Sequence, residues 1–117
     1  MRLAYKLVYK IVPAALWRET ESCGSFAGSP ADLADGFIHF SAAEQVPATA
    51  KKYFGGQDGL LLLAVDTARL GSKLRFEPSR SGALFPHLYG ALPRGAVLWA
   101  KPIPLKPDGT HDFSALI

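Results

Sequence analysis

Apolar and polar residues alternate along "LAYKLVYKIV" from Leu3 to Val12. Leu3, Tyr5, Leu7, Tyr9 and Ile11 fall on one side, with Ala4, Lys6, Val8 and Lys10 on the other. Side chains of an extended chain point to opposite faces in turn, so this stretch predicts a half-buried strand. Pro13 stops the ladder and suits a first helical turn, which makes "PAALWRETES" a short helix burying Leu16 and Trp17. Residues 23–35 carry Gly, Ser, Pro and Asp and read as a long loop of the kind that borders binding sites. "GFIHF" (36–40) is a short strand that runs straight into a helix, "SAAEQVPATAKKYF" (41–54). There Ser41 and Glu44 have the spacing of a capping box, and Pro47 allows a late helix start. "LLLLAVD" (60–66) is apolar without interruption and predicts a central strand covered on both faces. "KLRFEP" (73–78), "LFPHLYG" (84–90) and "AVLWAKPIPL" (96–105) read as further strands, and the tail from Lys106 reads as irregular. Five or six strands and two main helices, the helices early, predict an α+β fold with a bent, mixed or mostly antiparallel sheet. No βαβ repeat continues past Phe54, which argues against a parallel doubly wound architecture.

Composition narrows the picture. A chain of 117 residues supports one hydrophobic core, and 49% hydrophobic against 20% charged residues lets it bury one, so residues 1–117 are expected to form a single domain. A lone cysteine, Cys23, excludes an intrachain disulfide and fits a reducing compartment. Lys6, Lys10 and Pro13 break any signal-type apolar run, and no stretch is long enough to span a membrane, so a cytoplasmic protein is expected. Between Arg69 and Lys106 stand seven basic residues (Arg69, Lys73, Arg75, Arg80, Arg94, Lys101, Lys106) against one acid, Glu77. That half would attract an anionic small molecule, but the charges are too spread for a nucleic-acid footprint.

Period two also organises the candidate chemistry. Phe37, His39 and Ser41 share one side of their strand, as do Phe85, His87 and Tyr89 of theirs and Arg75 and Glu77 of a third. Two imidazoles that can exchange protons near neutrality, a phenol and a hydroxyl could then line one cleft. Pro86 lacks an N–H, so "FPHLYG" is expected at an edge, bulge or bend, and Gly90 would let a ligand or neighbouring strand approach. Ser41 reads first as a helix cap, and Arg75 with Glu77 as a surface pair. No spacing of His, Cys, Asp and Glu suggests a metal site, and His111 in the polar tail reads as solvated.

"VYKIVP", "DGFIHFSAAEQV", "LRFEP" and "FPHLYGALP", in that order and across nearly the whole chain, resemble the bacterial family known as domain of unknown function 952. That family is in turn remotely similar to the ADP-ribosyltransferases, which hold NAD in the cleft of a split, bent sheet. The resemblance implies an ADP-ribosyltransferase-like fold and makes NAD a candidate cofactor. Lys10 stands where those enzymes offer a histidine to the nicotinamide ribose, and His39 where they offer a stacking tyrosine. Glu77 is the candidate for their catalytic glutamate. His39, His87, Glu77 and Tyr89 are thus the candidate catalytic residues, and Lys10, Ser41, Arg75, Phe85 and Gly90 the candidate ligand contacts. Three functions fit. One is an enzyme, intact or degenerate, acting on a nucleotide-like or phosphorylated small molecule. Another is a binding module for an anionic metabolite, with Lys10 on its phosphate. The third is a homodimer or interaction module pairing through an exposed edge at "FPHLYG" or "AVLWAKPI".

Overall fold

In the computed structural model, which describes residues 6–79 and 82–117, the opening alternation becomes strand β1 (Leu7–Pro13). Leu3 and Tyr5 lie outside the described residues. β1 pairs along its length with β4 (Leu60–Asp66), and β4 with β8 (Val97–Pro102), so "LLLLAVD" is the middle strand that its unbroken apolar run predicts. β1 is not half-buried, however. Val8 and Val12 pack into one core and Tyr9 and Ile11 into a second, because the sheet is covered on both faces.

The first of those cores lies against a second antiparallel sheet, in the order β3 (Ile38–His39), β6 (Leu84–Leu88), β5 (Leu74–Pro78). Ile38, Phe40, Leu74 and Leu88 supply its apolar side, with Trp17 and Phe26 closing one end. The second core places Val46 and Ala50 of a helix, together with Ile103 and Phe113, over Tyr9, Leu62 and Ala64. β2 (Ser25–Phe26) and β7 (Leu92–Pro93) form a two-residue ribbon. Every described pairing is antiparallel, so the sheets are not mixed. The two larger sheets are joined: Tyr9 and Ser41 exchange both backbone hydrogen bonds at 2.8 Å, so the chain leaving β3 crosses from β6 to β1.

"FPHLYG" does not lie at an edge. β6 is the middle strand of its sheet, with Pro86 opposite Phe76. The carbonyl of Pro86 accepts from Phe40 N at 2.9 Å. An extended residue sends its N and C=O to the same side, so the missing N–H faces the point where β3 has already ended.

Among the described residues three α-helices form where two were expected: α1 (Ala14–Arg18), α2 (Pro30–Asp35) and α3 (Val46–Phe54). α1 is shorter than predicted and buries Trp17, with Leu16 half-buried, before a 3₁₀ turn at Glu19–Glu21. The segment 23–35 is not a continuous loop, because β2 and α2 lie within it. Ser29 caps α2 by accepting from Asp32 N, and Asp32 returns the bond to Ser29 N, with Pro30 in the first turn. Gly36 ends α2 with φ +85°, and a Cβ there would meet nothing within 4 Å. Gly36→Ala is therefore expected to lose about 1–2 kcal/mol from backbone strain alone, read as a lower urea midpoint at unchanged m.

The Ser41–Glu44 capping box does not form. Gln45 Oε1 accepts from Ala42 N at 2.9 Å, a 3₁₀ turn spans Ala43–Gln45, and α3 starts late with Pro47 in its first turn. The tail is tied down: Leu105 bridges His111, and Phe113 is buried. His111 Nε2 lies 2.7 Å from Gln57 O, so this histidine is not simply solvated.

Candidate functional site

The pleat of the β3-β6-β5 sheet sorts its side chains as the sequence alternation requires. His39 stands opposite His87, and His87 opposite Arg75, so these three share the face turned from the first core. Phe37 occupies the middle of that face. Its ring stacks on His87 at 4.2 Å between centroids and tilts against His39 at 4.7 Å and Tyr89 at 5.3 Å. The two imidazoles sit edge to face, 5.6 Å apart.

Each histidine is pinned by a carboxylate. His87 Nδ1 is 2.9 Å from Glu77 Oε1, and Tyr89 OH donates to the same oxygen at 2.7 Å. Those two hydrogen bonds, Tyr89's first, hold the Glu77 carboxyl below its ordinary range, and the same bond raises the Tyr89 phenol above its own. With Nδ1–H directed at Glu77, the neutral ring keeps its lone pair on Nε2, which makes no hydrogen bond to a described residue. His39 is held at both nitrogens: Nδ1 is 2.6 Å from Asp32 Oδ1 and Nε2 is 2.9 Å from Asp35 Oδ2. Donating to both carboxylates takes a proton on each nitrogen.

Asp32 is the residue that the sequence reading missed, and it organises the site. Its side chain is 2% exposed, and its carboxylate has four partners. Lys10 Nζ (3.0 Å) and Ser29 N (2.8 Å) meet Oδ2, while His39 N (3.1 Å) and His39 Nδ1 (2.6 Å) meet Oδ1. Burial pushes this carboxyl up, but Lys10 and the hydrogen bonds from His39 and Ser29 outweigh it and leave it below its ordinary value. Lys10 projects between Val8 and Val12 on the core face of β1. Burial lowers its pKa, against the opposing pull of Asp32, and Nζ donates to His39 O at 2.9 Å. The missed signal was "SPAD" before Gly36: a cap, a proline at the first helical position, an acid three residues on and a glycine stop.

Beside this cluster lies a cavity of about 600 Å³, a volume ordinary for small-molecule sites. Lys10, Asp32, Asp35, His39 and His87 border it, with Phe40, Phe54 and Phe85 for apolar walls and Ser29, Ser41, Thr49 and Gln57 for polar ones. Ser41 Oγ lies 3.1 Å from Thr49 Oγ1, so it is a cavity hydroxyl and not a helix cap. Glu77 and Tyr89 stand behind His87 and do not line the cavity.

Several expected contacts fall elsewhere. Arg75 does not pair with Glu77 in a hydrogen bond; its guanidinium lies over the Tyr89 ring at 5.1 Å. Gly90 is approached by the Lys73 side chain, whose Cδ would lie 3.2 Å from an added Cβ, and not by the cavity. Lys10 offers no unpaired charge to a phosphate, since Asp32 holds it. Among the described residues that line the cavity it is also the sole lysine or arginine; Arg80 lies outside the described residues. No group of His, Cys, Asp and Glu among the described residues could hold a metal ion, and no described helix is long and apolar enough to cross a membrane.

A family model described as protein of unknown function (DUF952) matches residues 11–100. The crystal structure of protein CC0527 from Caulobacter crescentus, a structural genomics target, is 47% identical to this chain and superposes with a TM-score of 0.89. That match covers 93% of this chain and 96% of the other. The solution NMR structure of the same protein gives 45% identity and a TM-score of 0.86, covering 97% of each chain. No curated protein matches the sequence. None of the matched descriptions names an activity.

Proposed function

We propose that this chain, which belongs to the DUF952 family, is an acid–base enzyme acting on a small, nucleoside-like molecule held in the cavity beside His39 and His87. The observation that carries the reading is the pair of imidazoles, each oriented by its own carboxylate, 5.6 Å apart on one sheet face and both bordering one cavity. His87 is the base: Glu77 fixes Nδ1–H and so presents the Nε2 lone pair to a substrate hydroxyl or a water. His39 serves as the acid only by giving up its exposed partner Asp35, which frees Nε2 for the substrate while Asp32 keeps Nδ1. Aromatic walls and scattered hydroxyl and amide groups suit a ring-bearing molecule.

The resemblance of the sequence motifs to ADP-ribosyltransferases would make NAD a candidate ligand. NAD itself fits poorly, because among the described cavity residues the one lysine already neutralises Asp32 and leaves the pyrophosphate unmatched. No step is therefore drawn through it. The test is a panel of nucleosides, nucleotides and NAD incubated with the protein and followed by NMR. Consumption of a nucleoside-type compound is expected, together with shifts of His39 and His87 resonances. Saturable shifts without turnover would replace the enzyme reading by a binding module, a reading favoured by the engagement of both His39 nitrogens. No response to any compound would overturn both.

A further inference from the structure

Helix α2 is attached to the domain in an unusual way. Of its six residues only Asp32 is buried, and Leu33, its one large apolar side chain, is 64% exposed. Surface helices are ordinarily held by an apolar stripe. Here a carboxylate does that work, with each of its acceptor positions filled: Lys10 and Ser29 N on one oxygen, His39 N and His39 Nδ1 on the other. The helix is bracketed by Gly28 and Gly36, both at positive φ (+127° and +85°), and its residues Pro30, Ala31, Asp32 and Asp35 form a wall of the cavity.

We propose that α2 is a lid over the cavity, latched by Asp32 and moving on the backbone at Gly28 and Gly36, and that its opening admits and releases the ligand. The inference rests on the reading of the cavity as the ligand site. The charged groups that face Asp32 are Lys10 from β1 and His39 from β3, and Asp35 on α2 itself shares His39. Opening removes the counterion of an ammonium flanked by fully buried Val8 and Val12, so the closed state dominates. This polar latch releases as a unit, because the same carboxylate holds both the strand at His39 and the lysine beneath, while its cap at Ser29 moves with the helix.

Amide hydrogen exchange on the full chain tests this, with a reactive probe as a second reading. The amide of His39, whose acceptor Asp32 Oδ1 lies on the helix, should exchange through a local opening, with protection of about 10²–10⁴, the fold equivalent of breaking a buried ion pair, and less protected than β4. Asp32→Asn should lower that protection at least tenfold relative to β4, whereas Leu33→Ser should leave it unchanged. In a Cys23→Ser/Ser41→Cys chain, iodoacetamide should reach the cavity thiol faster once Asp32→Asn is added, by the same factor. Exchange of the His39 amide only together with β4 would overturn the lid, as would protection below about tenfold, or equal loosening by Leu33→Ser. If Asp32→Asn does not fold, the wild-type exchange pattern decides alone. Neither readout involves turnover, so failure of the lid leaves the acid–base site standing, and absence of turnover leaves the lid result intact.

Discussion

Asp32→Ala is expected to destabilise the protein by about 3–5 kcal/mol, the usual result of removing one partner of a buried ion pair and stranding the other. Lys10 is the stranded charge: it is 7% exposed, on the face of β1 shared with Val8 and Val12, and it would keep only His39 O and the distant Phe40 ring at 5.9 Å. The loss is large against the roughly 5–15 kcal/mol that holds a typical domain together. It would be read from urea unfolding followed by tryptophan fluorescence. A Lys10→Met/Asp32→Leu double variant removes both charges and should recover much of the loss, because apolar replacement of a buried pair is often neutral or better. A double variant as unstable as the single one would place the cost in the lost Ser29 and His39 bonds. The pair also fixes a pH dependence. The Asp32 carboxyl is held below its unfolded value of 3.8. Its contribution is therefore complete above that value and drains away as pH falls through the folded one. Wild-type stability should drop more steeply below about pH 4 than that of the double variant.

His87→Gln is expected to slow turnover of the cognate small molecule by about 10²–10⁴-fold, the range for loss of a general base. Glutamine keeps a side chain that can reach Glu77, but its amide is too weakly basic to take a proton at neutral pH. Secondary structure should be kept, with a lower thermal midpoint, since the ring is buried against Phe37 but lies on the sheet face away from the first core. Glu77→Gln should lose less, because Glu77 acts by orienting the ring and does not border the cavity. Turnover within twofold of wild type in His87→Gln would remove His87 from the chemistry.

The strands that carry these residues were readable from alternation alone. Period two in "GFIHF" and "LFPHLYG" separates Ile38, Phe40, Pro86 and Leu88 from His39 and His87, and the sheet obeys that division. The pairing of His39 with His87 was not readable, because strand order depends on contacts between segments about fifty residues apart. Asp32 escaped for a different reason. Apolar periodicity finds a helix by the face it buries, and α2 buries a carboxylate, so a segment with every terminal signal of a helix looked like a loop. Lys10 escaped for the same reason, since a lysine at an alternating position normally marks the solvent side.

Pro86 has an effect that reaches past its own strand. It accepts from Phe40 N but has no N–H to return to Phe40 O, so the rung after His39 and His87 is made with one hydrogen bond where two would otherwise form, and the next residue, Ser41, turns both backbone groups the other way, to Tyr9. The pairing of β3 with β6 thus ends on a half-made rung at the place where the chain takes up β1 as its neighbour. The seam opened by that change is bordered by Lys10, His39, Phe40 and Ser41, the residues at the bottom of the cavity. A residue with an amide proton at position 86 would complete that rung, at the border of the space in which a ligand would rest.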